Sequence, residues 1–106
     1  MKDLKTGILC DLYGALLTDK QRSMVKDYFD YDLSLSEIAA QHGISRQAVA
    51  DTIKKCEKTL VDTEKSLGFC AKLAEIKSGL EKVAELNRSH KYDEATAAAE
   101  ELLGEL

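Results

Sequence analysis

Hydrophobic residues recur along the chain at spacings of three and four, the period of an amphipathic helix. In the first predicted segment, residues 3–17, the resulting stripe consists of five aliphatic side chains: Leu4, Ile8, Leu9, Leu12 and Leu16. The chain contains no proline and six glycines, and it is rich in Ala, Leu, Lys and Glu, which favours long helices over a sheet with many turns. The pattern predicts an all-α protein whose first helix packs on the rest of the chain through this stripe.

Helix starts and ends are marked by capping residues. Residues 18–21 (TDKQ) and 34–37 (SLSE) both match the capping box, so a second helix is predicted to run to about residue 30 and a third from residue 35 to 42. Gly43 can supply the left-handed residue that closes the third helix, and Ser45 is the next N-cap. From Arg46 no stop signal follows until Gly68, which predicts an unusually long fourth helix.

The long fourth helix has an apolar seam. Its residues alternate by four and three, as in a heptad pattern, and the main members are Val49, Ile53, Cys56, Leu60 and Leu67. This seam can be met by the fifth helix of the same chain or by a second copy. We expect a homodimer. If this helix binds nucleic acid, its charge is low, and two copies that span neighbouring half-sites on the nucleic acid would bind more tightly and in a fixed register.

The same rhythm continues after Gly68 and is interrupted only by a polar segment at residues 87–90. It predicts a fifth helix and a final helix over about residues 92–103, with Tyr92, Ala95, Ala99, Leu102 and Leu106 buried. A short loop between two amphipathic helices predicts an antiparallel hairpin. In total we expect about six helices in a single helical domain, residues 1–106, with a helix-turn-helix core at residues 18–68 and a C-terminal hairpin at residues 69–106.

The third and fourth helices have the spacing of a helix-turn-helix. Ala39 is small where the two helices cross, Gly43 follows four residues later in the turn, and Val49 lies where the second helix needs a core anchor. Ile38 and Ile44 are expected to face inward. These positions together predict a helix-turn-helix rather than a chance run of caps and apolar residues.

In a helix-turn-helix the start of the second helix enters a groove of the nucleic acid. The outward residues predicted to bind nucleic acid are Ser45, Arg46, Gln47, Ala50 and Lys54. Ser45 and the free amides of the helix start can hold a phosphate, Arg46 suits a phosphate or a guanine, and Gln47 suits an adenine edge.

Other residues of the fourth helix weigh against this assignment. Asp51 would repel phosphate unless it accepts a hydrogen bond from a cytosine amino group. Lys54, Lys55 and Lys58 can also be interpreted as the solvated face of a long helix, with Asp51 and Glu57 among them. Both interpretations stay open from the sequence.

Charge is distributed unevenly. The net charge is −4, of which residues 1–33 carry −1, residues 34–60 carry +1 and residues 61–106 carry −4. Because non-specific affinity for DNA comes mainly from Lys and Arg at phosphates, a monomer is expected to bind duplex weakly at physiological salt.

Several function classes have no support. The spacing of the three cysteines matches no zinc pattern, and the chain has neither an N-terminal signal-like segment nor an apolar run long enough for a membrane span. His42 and His90 lie far apart, each at a predicted helix end, and no glycine-rich phosphate loop is found. We therefore expect a cytoplasmic protein that is not an enzyme and uses no metal or cofactor.

Residues 16–69, LLTDKQRSMVKDYFDYDLSLSEIAAQHGISRQAVADTIKKCEKTLVDTEKSLGF, resemble the YlxM-like helix-turn-helix proteins of bacteria. Within them, LSLSEIAAQHGISRQAV is similar to region four of sigma factors. The second resemblance implies DNA reading through Ser45, Arg46, Gln47, Ala50 and Lys54. His42 departs from the class, in which leucine is common at this place, and the tail from residue 87 is not matched.

The resemblance to the YlxM-like proteins has a different implication. These proteins are generally encoded beside the GTPases of the signal recognition particle pathway, which implies an accessory or regulatory role there. Partners would then be the RNA of the particle or its GTPases rather than promoter DNA. The alternative to nucleic-acid binding is a protein-interaction module that docks on a ribonucleoprotein or GTPase through the acidic C-terminal part, with the helix-turn-helix as a scaffold.

Overall fold

The computed structural model describes residues 4–106. In that part the chain forms six α-helices: α1 (Leu4–Tyr13), α2 (Asp19–Phe29), α3 (Leu35–His42), α4 (Arg46–Leu67), α5 (Phe69–Arg88) and α6 (Tyr92–Glu105). A short 3-10 turn, Gly14–Leu16, follows α1. The all-α prediction with about six helices is confirmed. Asp3, where the first helix was predicted to start, lies outside the described residues.

Both predicted capping boxes form. At the start of α2, the Thr18 hydroxyl accepts from the Gln21 amide at 3.1 Å, and the Gln21 side chain accepts from the Thr18 amide at 2.9 Å. Ser34 and Glu37 make the same reciprocal pair at the start of α3, at 3.0 and 3.1 Å. These bonds satisfy amides that a helix start otherwise leaves without partners, so each helix begins where its cap stands.

Contacts divide the chain into two units, the first ending at Gly68 and the second covering Phe69–Leu106. In the first unit α4 packs against α1, α2 and α3. Its core consists mainly of the following buried residues: Leu9, Tyr13, Leu17, Met24, Val25, Phe29, Ile38, Val49, Ile53 and Leu60. The prediction of a single domain over residues 1–106, with a core at 18–68 and a hairpin at 69–106, stays a prediction.

Helix α1 packs through a face that only partly overlaps the predicted stripe, of which Leu9 is buried and Leu12 is half-buried. Leu4, Ile8 and Leu16 of the expected stripe are exposed, whereas the buried side chains are those of Thr6, Leu9, Cys10 and Tyr13. Gly7 on the buried face allows a close approach to the end of α2, since a β-carbon there would lie 2.6 Å from Asp30 Oδ1.

A hydrogen bond also holds the buried face of α1. The Tyr13 hydroxyl donates to the Glu64 carboxylate near the end of α4, with the two oxygens 2.6 Å apart. Small and polar residues therefore help to place α1 together with Leu9, and Leu4, Ile8 and Leu16 are left exposed.

Helices α5 and α6 form the predicted antiparallel hairpin. Lys72 near the start of α5 lies by the end of α6, with its Nζ 3.3 Å from the Glu105 carbonyl oxygen. Gly79 lets the helices approach closely, because a β-carbon there would lie 2.8 Å from Leu102 Cδ1. Among residues 69–106, all of which the structure describes, only Ala95 is buried.

The predicted burial in α6 is wrong in part. Tyr92 and Leu106 are exposed, and Ala99 and Leu102 are half-buried, although Ala95 is buried as expected. The reason is that two helices alone bury only the strip along their line of contact, so the rest of each apolar face stays outside.

Candidate nucleic-acid interface

The corner between α3 and α4 has helix-turn-helix geometry. Gly43 ends α3 in the left-handed conformation, with φ 66° and ψ 33°. The Ile44 amide donates to the Ala39 carbonyl at 3.1 Å, which closes the turn. Ile38, Ala39 and Val49 are buried, and Ile44 is half-buried. The predicted framework of a small residue, a turn glycine and a branched anchor is therefore present.

The corner presents the start of α4 to solvent. Ser45, Arg46, Gln47 and Lys54 are exposed, whereas Ala50 is half-buried. The Ser45 hydroxyl accepts from the Ala48 amide at 3.0 Å, so it caps α4. Four of the five residues predicted to bind nucleic acid are thus accessible, and the fifth is partly covered.

Gln47 already has a partner on its own helix. Its Nε2 donates to Asp51 Oδ1 one turn later, at 3.0 Å. An adenine edge uses both the amide donor and the amide oxygen of glutamine, so Gln47 must release Asp51 to bind adenine in this way. Because the bond is solvent-exposed, its loss would cost only about 1 kcal/mol.

The outer face of α4 carries mixed charges beyond Asp51. Lys58 Nζ lies 2.7 Å from Asp62 Oδ2, and both side chains are largely exposed. The hydrogen bond between them raises the pKa of Lys58 and lowers the pKa of Asp62. Lys54 and Lys55 are also exposed on this helix. A phosphate that approached this face would meet lysines next to carboxylates, so electrostatic attraction is modest.

Arg22 and His42 of the first unit both have structural partners. Arg22 Nε donates to the Gly14 carbonyl oxygen at 3.1 Å, which joins α2 to the turn after α1. His42 Nε2 lies 3.9 Å from Asp27 Oδ2, and both side chains are mostly covered. The histidine that stands where leucine is common in the class thus faces a carboxylate of α2.

The seam of α4 is met inside the first unit. Val49, Ile53, Cys56 and Leu60 are between 0% and 5% exposed, and α4 packs on α1, α2 and α3. The spacing of the seam suggested the fifth helix or a second copy as its partner, whereas the helices that cover it are α1, α2 and α3. Leu67, the last predicted member, is exposed at 52%.

Comparison with protein families agrees with the helix-turn-helix geometry of the α3–α4 corner. A family model described as "Putative helix-turn-helix protein, YlxM / p13 like" (UPF0122) matches residues 1–100. The chain belongs to this family. The match covers more of the chain than residues 16–69, on which the sequence resemblance rests, and it reaches far into the hairpin.

Curated relatives carry the same family name. A UPF0122 protein of Desulforamulus reducens is 39% identical over 100 residues, which cover 94% of this chain and 86% of the relative. A UPF0122 protein of Clostridium novyi is 39% identical over 103 residues, covering 93% and 90%. One from Clostridium botulinum is 48% identical over 69 residues, covering 65% and 63%.

The family description names a helix-turn-helix protein and no enzyme activity. In residues 4–106, no helix is both long and apolar enough to span a membrane. Within the same residues, no group of three or more His, Cys, Asp or Glu side chains is arranged to hold a metal ion.

Proposed function

We propose that this protein is a non-enzymatic, cytoplasmic accessory or regulatory factor that binds nucleic acid through the start of α4. The observation that carries the proposal is the glycine-closed corner, which leaves Arg46 and Gln47 exposed at the amino end of a long helix. The resemblance to YlxM-like proteins supports a link to the signal recognition particle pathway, with the RNA of the particle or DNA as the nucleic acid.

Each exposed residue has a role that fits its chemistry. Arg46 contacts a phosphate or a guanine edge, and Gln47 contacts a base after it releases Asp51. Lys54, two turns after Arg46, binds a phosphate. Ser45 caps α4, and its hydroxyl hydrogen is available to donate to a phosphate at the helix start. Half-buried Ala50 supports this surface by its small size.

The net charge of −4 makes one copy a weak binder of a polyanion. The proposed function therefore includes a homodimer, in which two reading helices act together. The α4 seam is covered by helices of its own unit, so it is not the dimer surface in this proposal.

The test compares two exposed-arginine variants for nucleic-acid binding. Arg46→Ala combined with Gln47→Ala should weaken binding by about tenfold or more, since each good base contact contributes about 1–3 kcal/mol. Arg88→Ala removes one positive charge at an exposed position of the hairpin and should leave affinity nearly unchanged. Fluorescence anisotropy with particle RNA transcribed in vitro, and with a duplex DNA of random sequence, measures both.

Equal affinity of the double variant and the unchanged chain for both probes would remove the start of α4 as the binding surface. Far-UV circular dichroism of each variant keeps loss of fold separate from loss of contact.

A second candidate is supported by the hairpin. Residues 69–106 contain five basic and eight acidic side chains, and Glu75, Glu101 and Glu105 outnumber the single Lys82 on one side of the hairpin. This acidic side fits a basic surface of a GTPase or a ribonucleoprotein. Glu101→Lys combined with Glu105→Lys should abolish such docking, whereas the affinity of the purified protein for RNA should stay the same or rise, because the net charge becomes less negative.

A further inference from the structure

The side of the hairpin away from these glutamates is apolar and exposed. Four large side chains on it are between 52% and 69% exposed: Leu73, Leu80, Tyr92 and Leu103. We call these four residues the hairpin face. A groove of about 410 Å³ opens between α5 and α6 on this side, and it includes Leu80 and Tyr92 along with Val83, Ala95 and Ala99.

Helical position places the four residues together. On α5, Leu80 follows Leu73 by seven residues, or nearly two full turns. On α6, Leu103 follows Tyr92 by eleven residues, or about three turns. Both pairs are therefore aligned along their helices, and the groove shows that the two rows border one surface.

The hairpin has almost no buried core of its own. Ala95 is the only buried residue among residues 69–106, and this segment contains one cysteine, so no disulfide can form within it. Segments shorter than about 40 residues usually need a disulfide, a metal or oligomerisation to fold. An exposed row of leucines on such a unit indicates an interaction surface.

Charges along the hairpin face suit a second copy. The helical period places Lys77 beside Leu73 and Leu80 on the edge of α5 away from α6, and Glu100 beside Leu103 on the edge of α6 away from α5. Both residues are exposed. A two-fold axis parallel to the helices would place α5 of each copy over α6 of the other. Lys77 of each copy would then face Glu100 of the partner subunit, and symmetry would form this pair twice.

We propose that the hairpin face is a homodimer interface, on which a second copy of this chain places its own hairpin face to form a four-helix bundle. The proposal specifies the surface for the homodimer in the proposed function and does not depend on which nucleic acid is bound. Packing of two facing helix pairs would bury all eight large side chains in a core of the type found in four-helix bundles.

The first experiment is sedimentation equilibrium of the full chain without nucleic acid. The unchanged protein should be dimeric at tens of micromolar. Leu73→Glu and Leu80→Glu, measured separately, should each raise the dimer dissociation constant by about 100-fold or more. Each substitution places two carboxylates, one from each copy, in an apolar interface. Lys82→Glu, a charge reversal on the glutamate side, should change it by less than about threefold.

The second experiment tests which helices face each other. Lys77→Glu and Glu100→Lys should each weaken the dimer by about two- to fivefold, since both of its pairs become repulsive. An equal mixture of the two variants should recover the original affinity, because every pair in the mixed dimer joins opposite charges. Circular dichroism confirms equal helicity for all variants.

A monomer at every concentration would overturn the proposal, as would a dimer that tolerates Leu73→Glu and Leu80→Glu. Failure of the mixture to recover affinity would overturn the arrangement of α5 over α6. Failure of the proposed function can be told apart from failure of this interface. It would appear as unchanged RNA and DNA binding by the Arg46 and Gln47 double variant, whatever the oligomeric state.

Discussion

The two units of this protein have the same spacing of apolar residues along their helices, but they differ in how many of these residues are buried. All but one of the buried hydrophobic residues in the described chain belong to the first unit, and the hairpin contributes only Ala95. Yet α5 carries apolar residues at the same spacings of four and three as α4. Periodicity therefore indicates which side of a helix is apolar, and the number of neighbouring helices decides whether that side is buried.

The largest expected difference between the units concerns matched leucines. Leu60 is fully buried on α4, and Leu80 is 56% exposed on α5. Leu60→Ala should lower the free energy of unfolding by about 2–5 kcal/mol through lost burial and a cavity. Leu80→Ala should lower it by less than about 1 kcal/mol in dilute protein, where copies are separated. Urea unfolding followed by circular dichroism measures both.

Similar decreases in the free energy of unfolding for Leu60→Ala and Leu80→Ala in dilute protein would contradict this difference between the units. A loss for Leu80→Ala that grows with protein concentration would instead sharpen it, since that is the behaviour of a surface covered by a second copy.

A smaller difference is expected between two glycines. Gly43 has φ 66° in the turn of the first unit, whereas Gly104 lies within α6 with open space around its Cα. Gly43→Ala should cost about 1–2 kcal/mol, because a β-carbon is strained in the left-handed region. Gly104→Ala should be neutral or stabilise by up to about 1 kcal/mol. Thermal unfolding of both variants tests this, and an undiminished stability of Gly43→Ala would argue against the left-handed turn.

The smallest expected difference between the two units is in the reactivity of their thiols. Burial raises the pKa of Cys10 and of Cys56 in the first unit, whereas Cys70 of the hairpin is half-buried. Iodoacetamide at mildly alkaline pH should therefore label Cys70 first, as mass spectrometry of the digested protein would show. Labelling of Cys10 or Cys56 before Cys70 would contradict the packing of α1 on α4.

The raised thiol pKa values also set a pH dependence. The stability that depends on neutral Cys10 and Cys56 is fully present below the thiol pKa of the unfolded chain. It is lost as the pH rises through the raised values, because the unfolded state then releases protons that the folded state retains. Unfolding measured at increasing alkaline pH should show this decline.

Local signals in the sequence predicted most of the fold. Thr18, Ser34 and Ser45 all cap the helices they were expected to start, and Gly43 and Gly68 both end helices in the left-handed conformation. Each signal acts over a few residues, so it can be recognised without knowledge of the tertiary structure.

Packing between helices was predicted less well. Leu4 and Ile8 form a stronger apolar stripe than Thr6 and Cys10, yet Thr6 and Cys10 are the buried pair. The choice depends on close approach at Gly7 and on the bond from Tyr13 to Glu64, which join residues distant in sequence. For the same reason the sequence did not indicate α1 as the partner of the α4 seam.

The candidate site likewise combines features that the sequence predicted with features that depend on packing and rotamers. The exposure of Arg46 and Gln47 follows from a recognisable turn, and the structure agrees with it. The bond from Gln47 to Asp51 depends on side-chain rotamers that spacing does not specify, although the separation of four residues brings the two within reach. The partial covering of Ala50 depends on how deeply α4 sits against its neighbours.

The capping pairs at residues 18, 34 and 45 have a consequence for folding kinetics. Each joins groups only three residues apart, so little loop-closure entropy opposes its formation. Helix limits can thus be established on the microsecond scale of local structure formation, ahead of any long-range search. What remains for the slower step in the first unit is the collapse of three short helices around a long one whose start is already defined.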